Sequence, residues 1–447
     1  MEQDLTKGPV GRALMTFVLP FLASTILQFL YSVVDMMIVG RFTDPASISA
    51  VNTAGQMMQL VTTLIQGVAT GGTVVIGQYV GGKQTQRIRR AVDSMLWVFL
   101  VMGLLFALGV FFGSGLLISL AKVPPEAVKD ARDYLMICSL GIVFVSGYNG
   151  IAGILRGLGD SKHPMYFVVF SCGLNIVGDL LLVGAFRMGA AGAALATVLA
   201  QAVAFLLSVG TLQKSSVRFS RKLPGLAPEE GGRVLKLGIP LAAQDFLVNL
   251  SFLLITVVVN TMGVDKSAAV GIVERIVAFC MLVPIAFLSA LSAFTAQNVG
   301  AHQPERARQG LKMSTLICAL ITLAILLLSE IIPGKMVGLF TTDAVVIGHG
   351  VDYFRPYALD IFLVSFVFCL NGFFSGYGRT GFTMANSLIS TFVFRVPLVF
   401  AVSTIPDVSL TLIGAGAPVA SVVQIVMQIV YYRVGSWRKL SEPAENK

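Results

Sequence analysis

The sequence predicts an all-α integral membrane protein with twelve transmembrane helices in two parallel six-helix repeats. Composition comes first. Apolar residues make up 55% of the chain and charged residues only 12%, with mean hydropathy +0.83, against about 45–50% and 25% in soluble domains. Charge-free runs then recur at 46–82, 94–121, 188–213, 276–301 and 408–432, and about 20 apolar residues suffice to span a bilayer. Finally, two distant stretches nearly coincide. Gln78, Val80, Gly81, Gln84 and Arg87 return as Gln297, Val299, Gly300, Gln303 and Arg306, at an offset of about 219 positions. The same offset carries Asp133-Tyr134 onto Asp352-Tyr353 and Gly157/Gly159 onto Gly376/Gly378, while Pro20 maps onto Pro240 with one residue of drift. Landmarks that hold one offset over this distance mark a tandem duplication.

The spans follow in order. The first repeat places them at 13–40, 47–76, 92–113, 134–155, 164–186 and 189–212. The second places them at 235–262, 267–295, 310–332, 354–374, 382–403 and 411–432. Only a few residues separate the fifth and sixth, so these form a hairpin. Six spans is an even number, which makes the repeats parallel about an axis along the membrane normal. The resulting organisation is an N-lobe at 1–213, a cytoplasmic linker at 214–232, a C-lobe at 233–433 and a cytoplasmic tail at 434–447.

Placing both termini in the cytoplasm puts about 22 Lys and Arg on that side and about 8 outside, in keeping with the positive-inside rule. The clusters Lys83-Arg87-Arg89-Arg90 and Lys214-Arg218-Arg221-Lys222 dominate the count. The net charge of +9 therefore reads as topology and attraction to lipid headgroups, not as a nucleic-acid footprint. The expected location is the cell membrane. Expected partners are small organic substrates and membrane lipids, and the chain is expected to act as a monomer.

Catalytic and nucleotide motifs fail in detail. Gly77 to Lys83 has the spacing of a phosphate loop, but Gln84 stands where a Ser or Thr should hold magnesium. Gly376, Gly378 and Gly381 fit a dinucleotide fingerprint, yet they follow a membrane helix and not a strand. The three histidines form no cluster. The five cysteines lie inside apolar spans without ligand spacing and read as core residues. No enzyme and no cofactor is expected, apart from a proton or sodium ion at a coupling site.

The informative residues are polar groups at membrane depth, where each charge costs roughly 2.5–3.5 kcal/mol on insertion scales. Asp35 lies in the first span, and Asn175 and Asp179 share one face of the fifth at i and i+4. At 1.5 Å per residue, Asp35 is about 9 Å below the outer boundary at Arg41, and Asp179 about 12 Å below Arg187. Thr197 on the returning sixth helix has a similar depth. Two carboxylates, an amide and a hydroxyl in one layer can hold a proton or a hard cation. Glu274 and Arg275 in the eighth span, Arg395 in the eleventh and Gln28 in the first are candidates for substrate binding or lobe gating. Arg395 is expected to pair with Glu274. Pro20, which lacks a backbone donor, is a candidate hinge.

These residues carry a family resemblance. Pro20 with Val34-Asp35-Met36-Met37-Ile38-Val39-Gly40, the Gln78-Tyr79-Val80-Gly81 and Gln297-Asn298-Val299-Gly300 turns, and Arg156-Gly157-Leu158-Gly159-Asp160 resemble the MATE (multidrug and toxic compound extrusion) family along essentially the whole chain. The resemblance implies two lobes around a central V-shaped cavity. It also implies rocker-switch exchange of sodium ions or protons for organic, cationic amphipathic compounds. Asp35, Asn175, Asp179 and Thr197 are similar to the N-lobe cation site of the DinF-like branch. The acids of the NorM-like branch in spans seven and ten are not matched in place: the seventh has Val248-Asn249 where the acid is expected, with Asp245 nearer the cytoplasm, and the tenth has only Asp360, close to its outer end. Two alternatives remain. A major-facilitator transporter would carry an acid in its basic second loop, which 82–90 lacks. A lipid-linked-precursor flippase would line its path with several arginines.

Overall fold

The computed structural model of the chain describes residues 3–215, 227–435 and 437. Among these, twelve helices are long and apolar enough to cross a membrane. They are α1 (Val10–Phe42), α2 (Pro45–Gly81), α3 (Thr85–Leu120), α4 (Pro125–Gly157), α5 (Lys162–Ala185) and α6 (Gly189–Lys214), followed by α7 (Pro228–Asn260), α8 (Val264–Gly300), α9 (Pro304–Ile331), α10 (Ala344–Gly376), α11 (Thr380–Ser403) and α12 (Leu410–Val434). A short helix, Pro333–Gly338, lies between α9 and α10. The spans are thus those expected, several of them prolonged at the basic turns. Arg218, Arg221 and Lys222 of the linker, and the tail residues 436 and 438–447, lie outside the described residues.

Proline explains the interruptions. Pro284 has no amide hydrogen and its ring opposes the carbonyl of Cys280, and α8 breaks at Met281. Pro418 stands four residues after Gly414, where α12 breaks. Pro397 follows a π-helical stretch in α11, Ser390–Arg395. A second π segment, Leu180–Ala185, closes α5 directly after Asp179. Such widened turns recur at functional positions.

The chain divides into two compact units. One holds Met1–Asp4 and Leu19–Ala242, the other Leu5–Val18 and Ala243–Lys447. The dividing points fall within α1 and α7, close to Pro20 and Pro240.

Each unit shows what the repeated motifs do. In the first, a Cβ on Gly153 or Gly157 would sit 2.8 Å from the Ala69 carbonyl oxygen or 2.9 Å from that of Thr73. In the second, Gly372 and Gly376 meet the carbonyls of Leu288 and Ser292 at 2.6 and 2.8 Å. The two pairs correspond through the repeat, so both units bring two helix backbones together at matching points, as small residues permit in lipid. Both helices end in a left-handed glycine, Gly159 (φ 88°) and Gly378 (φ 77°), in keeping with a glycine C-cap.

The two glutamine turns are also equivalent. Gly82, Lys83 and Gln84 donate backbone bonds to Gln78, Val80 and Tyr79, and Ala301, His302 and Gln303 repeat the pattern on Gln297, Val299 and Asn298. Each turn holds the segment that leads into a long helix of its unit. In the first unit, Arg233 at the start of α7 donates to Gln78 Oε1 (2.7 Å) and Tyr79 Oη (3.0 Å), and Tyr79 donates to Glu230. In the second, Gln297 accepts from the Leu5 amide at 3.1 Å, and Arg306 bonds the carbonyls of Leu5, Lys7 and Gly8.

Candidate functional site

In the first unit, α1, α5 and α6 bring Asp35, Asn175, Asp179 and Thr197 together. Asp179 is fully buried and Asn175 nearly so. The Asp35 and Asp179 carboxyls are close enough to act electrostatically on each other, so a proton or cation taken up by one eases the charge of the other. Asn175 Nδ2 donates to Thr197 Oγ1 at 3.3 Å, which turns the amide oxygen away from that hydroxyl. The result is four buried oxygens with no hydrogen-bond partner: Asp35 Oδ1, Asn175 Oδ1 and both carboxylate oxygens of Asp179. Buried acceptors are normally satisfied. A converging set of unsatisfied ones fits a bound proton or a hard cation coordinated by oxygen.

A pocket beside this set is lined by Tyr31, Ser171, Cys172, Asn175, Thr197 and Gln201, among others. Sequence reasoning missed Tyr31, Ser171 and Gln201, although a simple signal was available. Each lies one helical turn from a residue that was picked: Tyr31 from Asp35, Ser171 from Asn175, Gln201 from Thr197. Tyr31 and Tyr134 lie close enough to the Asp35 carboxyl to feel its charge, with no hydrogen bond to it. The π segment begins immediately after Asp179. It changes the stagger of the helix beyond the carboxylate without moving Asn175 off the shared face.

The second unit holds a different constellation. Arg395 is buried and closes the π segment of α11. Its Nη2 donates to Tyr357 Oη at 2.7 Å, and Tyr353 donates to the same oxygen at 3.1 Å. The guanidinium lies 4.1 Å from the centroid of Phe252, a favourable cation–π stack. Ser421 donates to Asp360 at 2.5 Å. The expected ion pair of Arg395 with Glu274 is not formed. Glu274 Oε1 and Arg395 Nε are each buried without a hydrogen-bond partner, because the phenol of Tyr357 and the Phe252 ring hold the guanidinium instead. Arg275 is exposed, and Gln28 is half-buried on α1. Pro20 sits within a continuous α1, followed by Phe21, over which Arg156 lies at 5.7 Å. The five cysteines are free and buried.

The MatE family profile matches residues 20–181 and 240–401, one match in each repeat. The chain belongs to the MatE family. It is 28% identical to the probable multidrug resistance protein YpnP of Bacillus subtilis, over 98% of both chains. It is 23% identical to the probable multidrug resistance protein NorM of Thermotoga maritima, over 96% of this chain and 94% of that one. An outward-facing multidrug resistance MATE family transporter of the MOP superfamily shares the fold. Its TM-score is 0.91 at 21% identity, covering 98% of this chain and 99% of the other. These matches to transporters replace the major-facilitator alternative, and they place the chain among multi-pass membrane transporters and not among enzymes.

Proposed function

We propose that this protein is a cation-coupled antiporter that exports organic, cationic amphipathic compounds by alternating access, driven by protons or sodium ions. The observation that carries this reading is the cluster of Asp35, Asn175 and Asp179, with its four buried and unpartnered oxygens. Two carboxyls held together in an apolar surrounding repel one another when both are charged. A proton or sodium ion removes that repulsion, so occupancy and helix packing depend on each other. Export then follows if substrate and cation favour opposite conformations, because a coupling free energy acts in both directions.

The Asp35, Asn175 and Asp179 set favours the DinF-like arrangement over the NorM-like one. In the second unit, Asp360 is occupied by Ser421 and a fixed guanidinium stands nearby. The flippase alternative finds little support, since Arg395, the buried cation of that unit, is bound to Tyr357. The Lys and Arg skew supports cytoplasmic termini and residence in the cell membrane.

The test is transport of a cationic dye by purified protein in sealed vesicles, with sodium and proton gradients imposed separately. Movement of dye opposite to one imposed cation gradient is expected. Dye flux indifferent to both gradients would contradict antiport.

A further inference from the structure

We propose that α2 carries a ladder of carboxamides that contacts the exported molecule through neutral hydrogen bonds. Between Asn52 and Gly81, the exposed residues of α2 are Asn52, Gln56, Gln59 and Gln66, and every one is an amide. Successive steps of four, three and seven residues keep all four on one narrow face of a helix. Thr63 and Thr70 are half-buried on the same face. Their hydroxyls donate to the carbonyls of Gln59 and Gln66 at 2.9 and 3.0 Å. The amides are therefore the available groups. Gln56 reaches Asn52 only at 3.4 Å, and the side chains of Gln59 and Gln66 have no hydrogen-bond partner among the described residues.

This face cannot be the lipid face. Primary amides in hydrocarbon would be left unsatisfied at a cost of several kcal/mol each. Neighbouring α3 shows what a lipid-facing helix of this protein looks like, with Leu100, Val101, Leu104, Leu105, Leu108 and Phe112 exposed. Nor does the fold demand the ladder. The repeat-related positions on α8 are Gly271, Arg275, Ala278 and Ile285. The ladder spans about 21 Å of helix rise, most of a hydrocarbon core of about 30 Å. On this proposal the ladder lies on a water-accessible face of the first unit.

The chemistry indicates the class of ligand. A carboxamide donates and accepts at once and stays uncharged at every working pH. A row of them offers successive hydrogen bonds without the deep electrostatic trap that a carboxylate would set for a cation. It suits amphipathic organic molecules that bring their own N–H or O–H groups, and it hands them from one amide to the next. This inference rests on the export reading above for the direction of movement, but not for binding.

The experiment measures equilibrium binding by the full-length protein in nanodiscs, so its outcome is independent of ion coupling. Two probes are compared: ethidium, which has two aromatic amines, and tetraphenylphosphonium, which has no N–H or O–H. Gln59→Leu with Gln66→Leu should raise the ethidium Kd about tenfold, as loss of one or two modest hydrogen bonds implies. The tetraphenylphosphonium Kd should stay within about twofold. Gln59→Cys should introduce a thiol that reacts with a membrane-impermeant reagent, and ethidium should protect it. Three results would overturn the proposal: equal weakening for both probes, an unchanged ethidium Kd, or a Gln59→Cys thiol that only lipid-soluble reagents reach. Failure of antiport alone would appear in the vesicle assay and leave these constants as predicted.

Discussion

Arg395 shows how much a single residue can differ from its reading in sequence. Glu274 and Arg395 both stand inside membrane spans, and opposite charges there suggest a pair. The guanidinium instead bonds Tyr357 and stacks on Phe252. Depth fixes a coordinate along the membrane normal but not the direction a side chain takes around its helix. The π segment that ends at Arg395 adds further rotation that no periodicity predicts. By contrast, Asp35, Asn175 and Asp179 were legible, because a polar group in a charge-free run is conspicuous and the i, i+4 spacing fixes a shared face. Arg395→Ala should leave the Tyr357 phenol without its charged donor and lower stability by about 2 kcal/mol, the scale of a hydrogen bond to a charged group. Arg395→Lys should recover little of this, since an ammonium does not reproduce the planar stack. Thermal unfolding in detergent checks the loss, and the number of ions exchanged per substrate should be unchanged. A variant as stable as the wild type but with altered ion stoichiometry would place Arg395 in coupling.

At the scale of the element, hydropathy located all twelve spans, because crossing a bilayer demands long apolar runs. The interruptions at Met281 and Ala415 also have a sequence signal, since each falls shortly before a proline, Pro284 or Pro418. The π segment after Asp179 has no comparable signal, as no proline follows it. The repeated glutamine turns were visible in sequence, but their role was not, since it depends on segments distant in the chain. Each holds the entry to a long helix through a glutamine, and an arginine completes the contact: Gln78 with Arg233, Gln297 with Arg306. Arg306→Ala removes charge-assisted bonds to the carbonyls of Leu5, Lys7 and Gly8. Amide hydrogen exchange at 5–8 should accelerate by about tenfold or more, since bonds to charged groups are worth about 1.5–3 kcal/mol. Exchange at 228–233 should not change. Equal acceleration in both segments would mean that the variant loosens the whole fold and not one turn.

At the scale of the whole molecule, duplication explains the shared frame and divergence explains the work. Matching glycine contacts, matching left-handed caps and matching turn bonds recur in both units. The charged residues at membrane depth do not recur, although Tyr134 and Tyr353 correspond. The first unit holds the carboxylate pair and the amide ladder, while the second holds a guanidinium fixed by tyrosines. On the proposed reading, the first unit is the one that takes up the coupling cation. The most direct test runs the exchange backwards. A gradient of dye is imposed across vesicles containing the protein, with no ion gradient, and movement of sodium ions or protons is recorded. The wild type should drive one of these cations opposite to the dye. Asp35→Asn and Asp179→Asn, inserted at equal levels, should not. Cation movement at the wild-type rate in either variant would contradict the assignment of coupling to this pair.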